Sequence, residues 1–167
     1  MISLDGVPFS RVSGIDLMRG PDGEPVLTRP WQDHPDPRGR VLHRHGSGPF
    51  ARLVLDVLPR SRGVYAIAGD AGFVCYIGRA RDSIAARWGS AGYRHINAAK
   101  CYQGGQPTTC KINGLITAAV TTGTALSLYA HLTDDDPAPL EARLINALHP
   151  PWNEQVPFSP SEWLDER

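Results

Sequence analysis

Residues 63–80 read GVYAIAGDAGFVCYIGRA: two apolar runs, GVYAIA and FVCYIG, either side of a Gly-Asp-Ala-Gly stretch. Short runs rich in Val, Ile, Tyr and Phe around such a turn predict a β-hairpin. A loop centred between Asp70 and Ala71 sets Tyr65 opposite Tyr76, with Ile67 and Val74 on the same face. Val64, Ala66, Phe73, Cys75 and Ile77 then share the other face. Both faces are largely apolar, so the hairpin has to be covered on both sides. No other segment restricts the fold as strongly.

The flanking segments supply the cover. RDSIAARWG predicts a short helix capped by Asp82 and ended by Gly89. TTCKINGLITAAVTTG places Ile112, Leu115, Ile116, Ala119 and Val120 on one helical face before Gly123. ALSLYAHL alternates Leu126, Leu128, Ala130 and Leu132 with polar positions, a half-buried strand. DDDPAPLEARLINALHPP predicts a helix over 138–149, with Asp136 as cap, Pro137 in its first turn and Pro150 ending it. PFARLVLDVLP, with apolar residues at 50, 53, 54, 57 and 58, has helical spacing up to Pro59. The expected fold class is α+β, a small three-stranded antiparallel sheet flanked by helices, with an irregular N-terminal extension. The expected divisions are a Pro/Gly-rich arm over 1–49 packed on the core, a domain over 50–155, and a short tail over 156–167 in which Trp163 docks one capped turn.

Composition excludes several classes. The chain has 167 residues, enough for one cored domain with an extension. Zero formal net charge announces no global polyanion binder. Between Arg79 and Lys111, however, six cationic residues (Arg79, Arg81, Arg87, Arg94, Lys100 and Lys111) face one acid, Asp82, a candidate phosphate-attracting surface. Three cysteines point to a reducing compartment rather than a disulfide scaffold. The N-terminus shows no signal-peptide pattern, and no run approaches the roughly 18 apolar residues of a membrane span, so a cytoplasmic location and no membrane partner are expected. CYQGGQPTTC lacks the lysine of a phosphate-binding P-loop, and His43 and His45 in HRH read as solvated surface groups.

One acid stands out of place. In the 138–149 helix, Leu144, Ile145 and Leu148 fall within about 60° of Glu141 at 100° per residue. Glu141 therefore occupies the face that should be buried. An unpaired buried carboxylate costs several kcal/mol. It calls for a cation, a hydrogen-bond network or a metal. An internal ion pair to Arg87 answers that need, and so does a single Mg²⁺ that keeps several waters. Arg87, beside Ile84 and Trp88 in the short helix, either caps packing or offers its fork to a phosphate, and Arg79 adds a second cation directly after YIG.

In order, GVY at 63–65, YIG at 76–78, Arg87 in the next helix, Glu141 in a later helix and Asn153 in PPWN resemble the GIY-YIG nuclease domain over roughly residues 50–155. The resemblance implies a three-stranded antiparallel sheet flanked by helices and a divalent-metal-dependent endonuclease, with Mg²⁺ or Mn²⁺ as cofactor and duplex DNA as partner. It implies that Tyr65 orients or deprotonates the attacking water and that Tyr76 supports the water and metal network. Arg87 would hold the scissile phosphate, Glu141 would be both catalytic and the metal ligand, and Asn153 would brace the site. The chemistry expected is one-metal, in-line hydrolysis.

The chain departs from the family pattern at Ala91, where several members carry a histidine one turn after the arginine. Tyr93 or His95 is the expected substitute. Arg79, Tyr93, His95, Lys111 and Asn153 make up the expected substrate-binding set. A chain this short has little room for a separate DNA-reading module. Specificity then comes from the N-terminal arm, the 89–110 loop or homodimerisation, or is low. The alternatives are a catalytically inactive nucleic-acid-binding or adaptor domain that keeps the nuclease fold, and an interaction protein in which Glu141 and Arg87 contact each other as a core ion pair.

Overall fold

The computed structural model describes residues 1–153. In chain order the elements are β1 (Ile2–Leu4), β2 (Val7–Leu17), β3 (Leu27–Thr28), α1 (Pro30–Asp33), β4 (Phe50–Ala51), β5 (Leu53–Val54), β6 (Gly63–Gly69), β7 (Val74–Ala80), α2 (Ile84–Arg87), α3 (Ala98–Cys101), α4 (Pro107–Thr121), β8 (Leu126–Leu132) and α5 (Ala138–Leu148). The tail expected over 156–167, Trp163 included, lies outside the described residues. The described chain forms two compact units. One holds 1–16, 55–88 and 124–153; the other holds 17–54 and 89–123.

The first unit is built on an antiparallel sheet in the order β1-β2-β8-β6-β7. It is a curled, five-stranded half-barrel, and this overturns the expected small three-stranded sheet with an irregular N-terminal extension. The two extra strands come from the N-terminus. Asp5 and Gly6 adopt φ of 47° and 77° and reverse the chain so that Leu4 pairs with Val7. Asp-Gly between two strand-like runs is a strong hairpin signal, because both central residues of that turn need positive φ. Leu4 and Phe9 from this hairpin join Val64, Ala66, Ile77 and Leu144 in one buried cluster, with Leu140 and Ile145 packed against it. Helix α5 therefore covers the Val64/Ile77 face of the sheet.

The opposite face carries Tyr65, Ile67, Leu128 and Ala130, all no more than 4% exposed and paired across β6 and β8 as Tyr65↔Ala130 and Ile67↔Leu128. The hairpin register differs from the expected one. Tyr65 lies opposite Gly78, and Tyr76 lies opposite Ile67. A three-residue 3-10 turn at Asp70–Gly72, with Ala71 at φ 65°, contributes one residue of offset, and a bulge between Ile67 and Ala68 contributes the second. Two offsets preserve side-chain parity, so the two tyrosines still share a face.

In the second unit α4 buries Ile112, Leu115, Ile116 and Ala119, the face its spacing predicts. The helix expected over 49–59 is absent: Phe50–Ala51 and Leu53–Val54 are short strands. Phe50, Ala51 and Leu53 are buried, whereas Val54 is 51% and Val57 98% exposed, which no single helical stripe satisfies. β4 instead pairs with β3. The Asn113 side chain grips Ala51, accepting from its N–H at 3.3 Å and donating to its carbonyl at 2.9 Å.

Candidate active site

Tyr65 is buried in the first unit. Its ring lies across Gly78, so closely that a Cβ at that position would fall 2.5 Å from the phenolic oxygen. Glycine is the residue that permits this approach. Two residues earlier, at the start of β6, a Cβ on Gly63 would collide with the His131 carbonyl of β8. The glycines of GVY and YIG thus each admit a neighbour that any side chain would exclude. Tyr76 packs diagonally against Tyr65, with ring centroids 6.3 Å apart, and Trp88 meets Tyr65 edge-on at 5.5 Å.

Helix α2 brings Arg87 to this aromatic group. Its N-cap is Ser83 rather than the expected Asp82: Ser83 Oγ accepts from Ala86 N at 3.0 Å. The amides of Ile84 and Ala85 donate to the carbonyls of Ser61 and Pro59, which ties the helix to the strand entry. Ile84 and Trp88 are fully buried, and Arg87 lies on the half-buried side with Nε donating to Tyr65 Oη at 3.4 Å.

Arg79 pairs with Val64, on the sheet face covered by α5, and there meets Glu141 in the first turn of that helix. Arg79 Nη1 and Glu141 Oε2 are 2.6 Å apart, with side chains 31% and 18% exposed. The internal partner of Glu141 is therefore Arg79, not the Arg87 that the ion-pair alternative expects. Arg87 still acts at a distance. Burial pushes the Glu141 carboxyl above its ordinary value, while the charge and hydrogen bond of Arg79 and then the charge of Arg87 oppose the rise. Arg87 thus touches Tyr65, while at Glu141 it is Arg79 that makes the direct contact.

Asn153 clamps the strand between these groups. Its Oδ1 accepts from Ile77 N at 2.8 Å, its Nδ2 donates to Ile77 O at 2.7 Å, and Trp152 N donates to Cys75 O at 2.9 Å. β7 ends the sheet path, and the side-chain amide satisfies the backbone groups that a further strand would otherwise take.

Tyr65, Tyr76, Arg79, Arg87, Glu141 and Asn153 all fall in the first unit, whereas Tyr93, His95 and Lys111 fall in the second. Tyr93 is fully buried and its carbonyl accepts from Asn113 Nδ2. His95 is exposed, and its ring is held below the usual histidine range, first by partial desolvation and then by Arg52 and Lys100. Lys111 is half-buried in α4. Lys100, counted among the phosphate-attracting cations, turns inward instead. It is 4% exposed and donates to the carbonyls of Ser90, Gly92 and His95 at 3.0, 2.7 and 2.5 Å. Spacing gave no sign of this, because a lysine that organises a loop through carbonyls needs no acidic partner in the sequence.

Among the described residues no group of three or more His, Cys, Asp or Glu side chains is placed to hold a metal. Glu141 is a lone carboxylate ligand, already ion-paired to Arg79, so a hydrated ion such as Mg²⁺ would have this single group to hold it and would have to displace the arginine. Among the described residues no helix is long and apolar enough to cross a membrane. No protein-family model, curated protein or solved structure matches the chain.

Proposed function

We propose that the chain is a divalent-metal-dependent endonuclease of the GIY-YIG type that hydrolyses DNA phosphodiester bonds. The observation that carries this reading is the position of Arg87, with Nε in hydrogen-bond reach of Tyr65 Oη and Tyr76 packed against the same ring. The two phenols and the Arg87 guanidinium beside them, with the Glu141 carboxylate on the other face of the sheet, are the kinds of group that in-line hydrolysis uses. In the reaction, water adds its oxygen to phosphorus as the P–O ester bond breaks. One proton of the water ends on the departing ester oxygen, leaving a phosphomonoester and a hydroxyl. Tyr65 Oη orients the water, and Tyr76 fixes the Tyr65 ring by packing on it. Arg87 draws the phosphoryl oxygens with its fork and shields their charge as it grows. Glu141 is the residue that would hold the ion. A Mg²⁺ or Mn²⁺ held there would supply positive charge against the phosphate and the leaving oxygen. Asn153 keeps β7, and with it Tyr76 and Arg79, in place.

Supercoiled plasmid incubated with Mg²⁺ and with EDTA tests the reading. Nicking or linearisation in Mg²⁺ that disappears with chelator, and with Arg87→Ala, is the expected outcome. Cleavage indifferent to chelator, or undiminished in Arg87→Ala, contradicts it. The second reading is a non-catalytic nucleic-acid-binding domain, and the 1% exposure of Tyr65 favours it, since a phenol so enclosed has little contact with solvent water. It predicts DNA binding with no cleavage under either condition.

A further inference from the structure

The zero net charge of the chain conceals an uneven division. In the second unit, over 17–54 and 89–123, nine Lys and Arg residues stand against four acids, Asp22, Glu24, Asp33 and Asp36. In the first, over 1–16, 55–88 and 124–153, seven stand against nine. Segment 89–123 holds no acid at all. Some cations of the second unit are committed internally: Arg40 pairs with Asp36 at 3.0 Å, and Lys100 donates to three loop carbonyls. Arg52 and Arg94 are differently placed. Leu53 N donates to Arg94 O at 2.9 Å, which sets β5 beside the 93–95 loop. Leu53 and Tyr93 are buried and anchor that junction, while Arg52 and His95 are exposed beside it. Neither arginine has a carboxylate within salt-bridge distance among the described residues. Arg94 Nε is buried and has no hydrogen-bond partner among them. Turning this side chain toward an outside anion therefore breaks no bond at Nε and gives the guanidinium an acceptor.

We propose that the strip formed by Arg52, Arg94 and His95 is a docking surface for the phosphate backbone of DNA, the two guanidiniums making the phosphate contacts. The choice of DNA as partner rests on the nuclease reading; the surface itself requires no ion at Glu141. A guanidinium fork matches a pair of phosphate oxygens. Backbone contacts fix position without reading bases, so the strip holds duplexes of any sequence. His95 adds little charge at neutral pH: partial desolvation, then Arg52 and Lys100, hold its ring below the ordinary 6.5. The salt dependence at this surface is that of two arginines.

The test is binding of the full chain to a fluorescent duplex, read by anisotropy in EDTA from about 50 to about 200 mM salt. EDTA removes divalent ions, so that binding is read without cleavage. In Arg52→Gln/Arg94→Gln the slope of log affinity against log salt is expected to be shallower than in wild type by about 2, close to one for each phosphate contact removed. The affinity at the lowest salt is expected to fall about tenfold or more. Arg52→Gln alone, at an exposed position, is expected to lose about half of the slope difference. Arg11→Gln/Arg143→Gln removes the same charge from the first unit and is expected to keep the wild-type slope. Thermal unfolding confirms that each variant is folded. A wild-type slope in Arg52→Gln/Arg94→Gln, or an equal loss in Arg11→Gln/Arg143→Gln, overturns the docking surface and leaves the nuclease reading standing. No duplex binding by wild type at the lowest salt also overturns the surface. Together with no Mg²⁺-dependent plasmid cleavage, that result overturns the nuclease reading as well.

Discussion

Tyr65 and Gly78 face each other across β6 and β7, and the ring of the first occupies the space a side chain on the second would need. The phenol that the nuclease reading uses is held by this contact. Gly78→Ala has to push the ring aside, and overpacking of this kind costs about 1–3 kcal/mol. Urea unfolding of Gly78→Ala should show that loss, and a smaller one in a Tyr65→Leu background. Equal losses in the two backgrounds would mean that the ring is not what excludes the methyl group.

Asn153 makes two hydrogen bonds to Ile77 where the sheet path ends. Asn153→Ala leaves both backbone groups without that partner, a cost of about 1–3 kcal/mol. Hydrogen exchange should show faster loss of the Ile77 amide while the amides of β8, farther inside the sheet, are little changed. Unaltered protection at Ile77 would show that the clamp contributes nothing.

Much of this was legible in the sequence because strand parity survives errors of register. The shared face of Tyr65 and Tyr76 depends only on an even offset. The offset itself came from Ala71 in a left-handed conformation and from a bulge, neither of which has a residue signature in FVCYIG. Glu141 was visible as an acid on the apolar stripe of α5, but its partner was not, since Arg79 reaches it through tertiary packing. Leu148 belonged to the same expected stripe and is 40% exposed, because the sheet covers α5 chiefly at Leu140, Leu144 and Ile145. The β1–β2 hairpin announced itself through Asp5-Gly6, a signal obscured by the Pro- and Gly-rich composition that follows it. The apolar spacing of 49–59 misled for a different reason. Short strands can imitate helical spacing when successive apolar residues serve different contacts.

Glu141 gives a stability prediction with a definite sign. Its folded pKa lies above the ordinary 4.5 because burial outweighs the two arginines. The folded state then binds more protons than the unfolded state just above pH 4.5, so stability falls as pH rises through that window. Glu141→Gln should remove this fall and be at least as stable as wild type at pH 7, despite losing the ion pair. A large drop in Tm at pH 7 would contradict the dominance of desolvation.

His45 acts in the opposite direction on acid stability. Burial, Arg44, Lys111 and His43 lower its pKa to about 4 from 6.5, and Nε2 accepts a hydrogen bond from Arg44 at 3.0 Å. The unfolded state binds more protons between those values, so the stability the neutral ring contributes is present above pH 6.5 and is lost as pH falls toward 4. His45→Gln should flatten the Tm-against-pH curve in that window. An identical slope in the variant would exclude His45 as its source.

The central claim is that Glu141, together with Arg87 and the Tyr65 phenol it touches, serves phosphodiester hydrolysis. The most direct measurement is the Mg²⁺-dependent rate of plasmid cleavage by wild type and by Glu141→Gln, at a temperature where thermal unfolding shows both to be folded. A loss of about 10²-fold or more in the variant, the scale of removing a group that stabilises transition-state charge, is the predicted result. Cleavage by Glu141→Gln at the wild-type rate would contradict the claim.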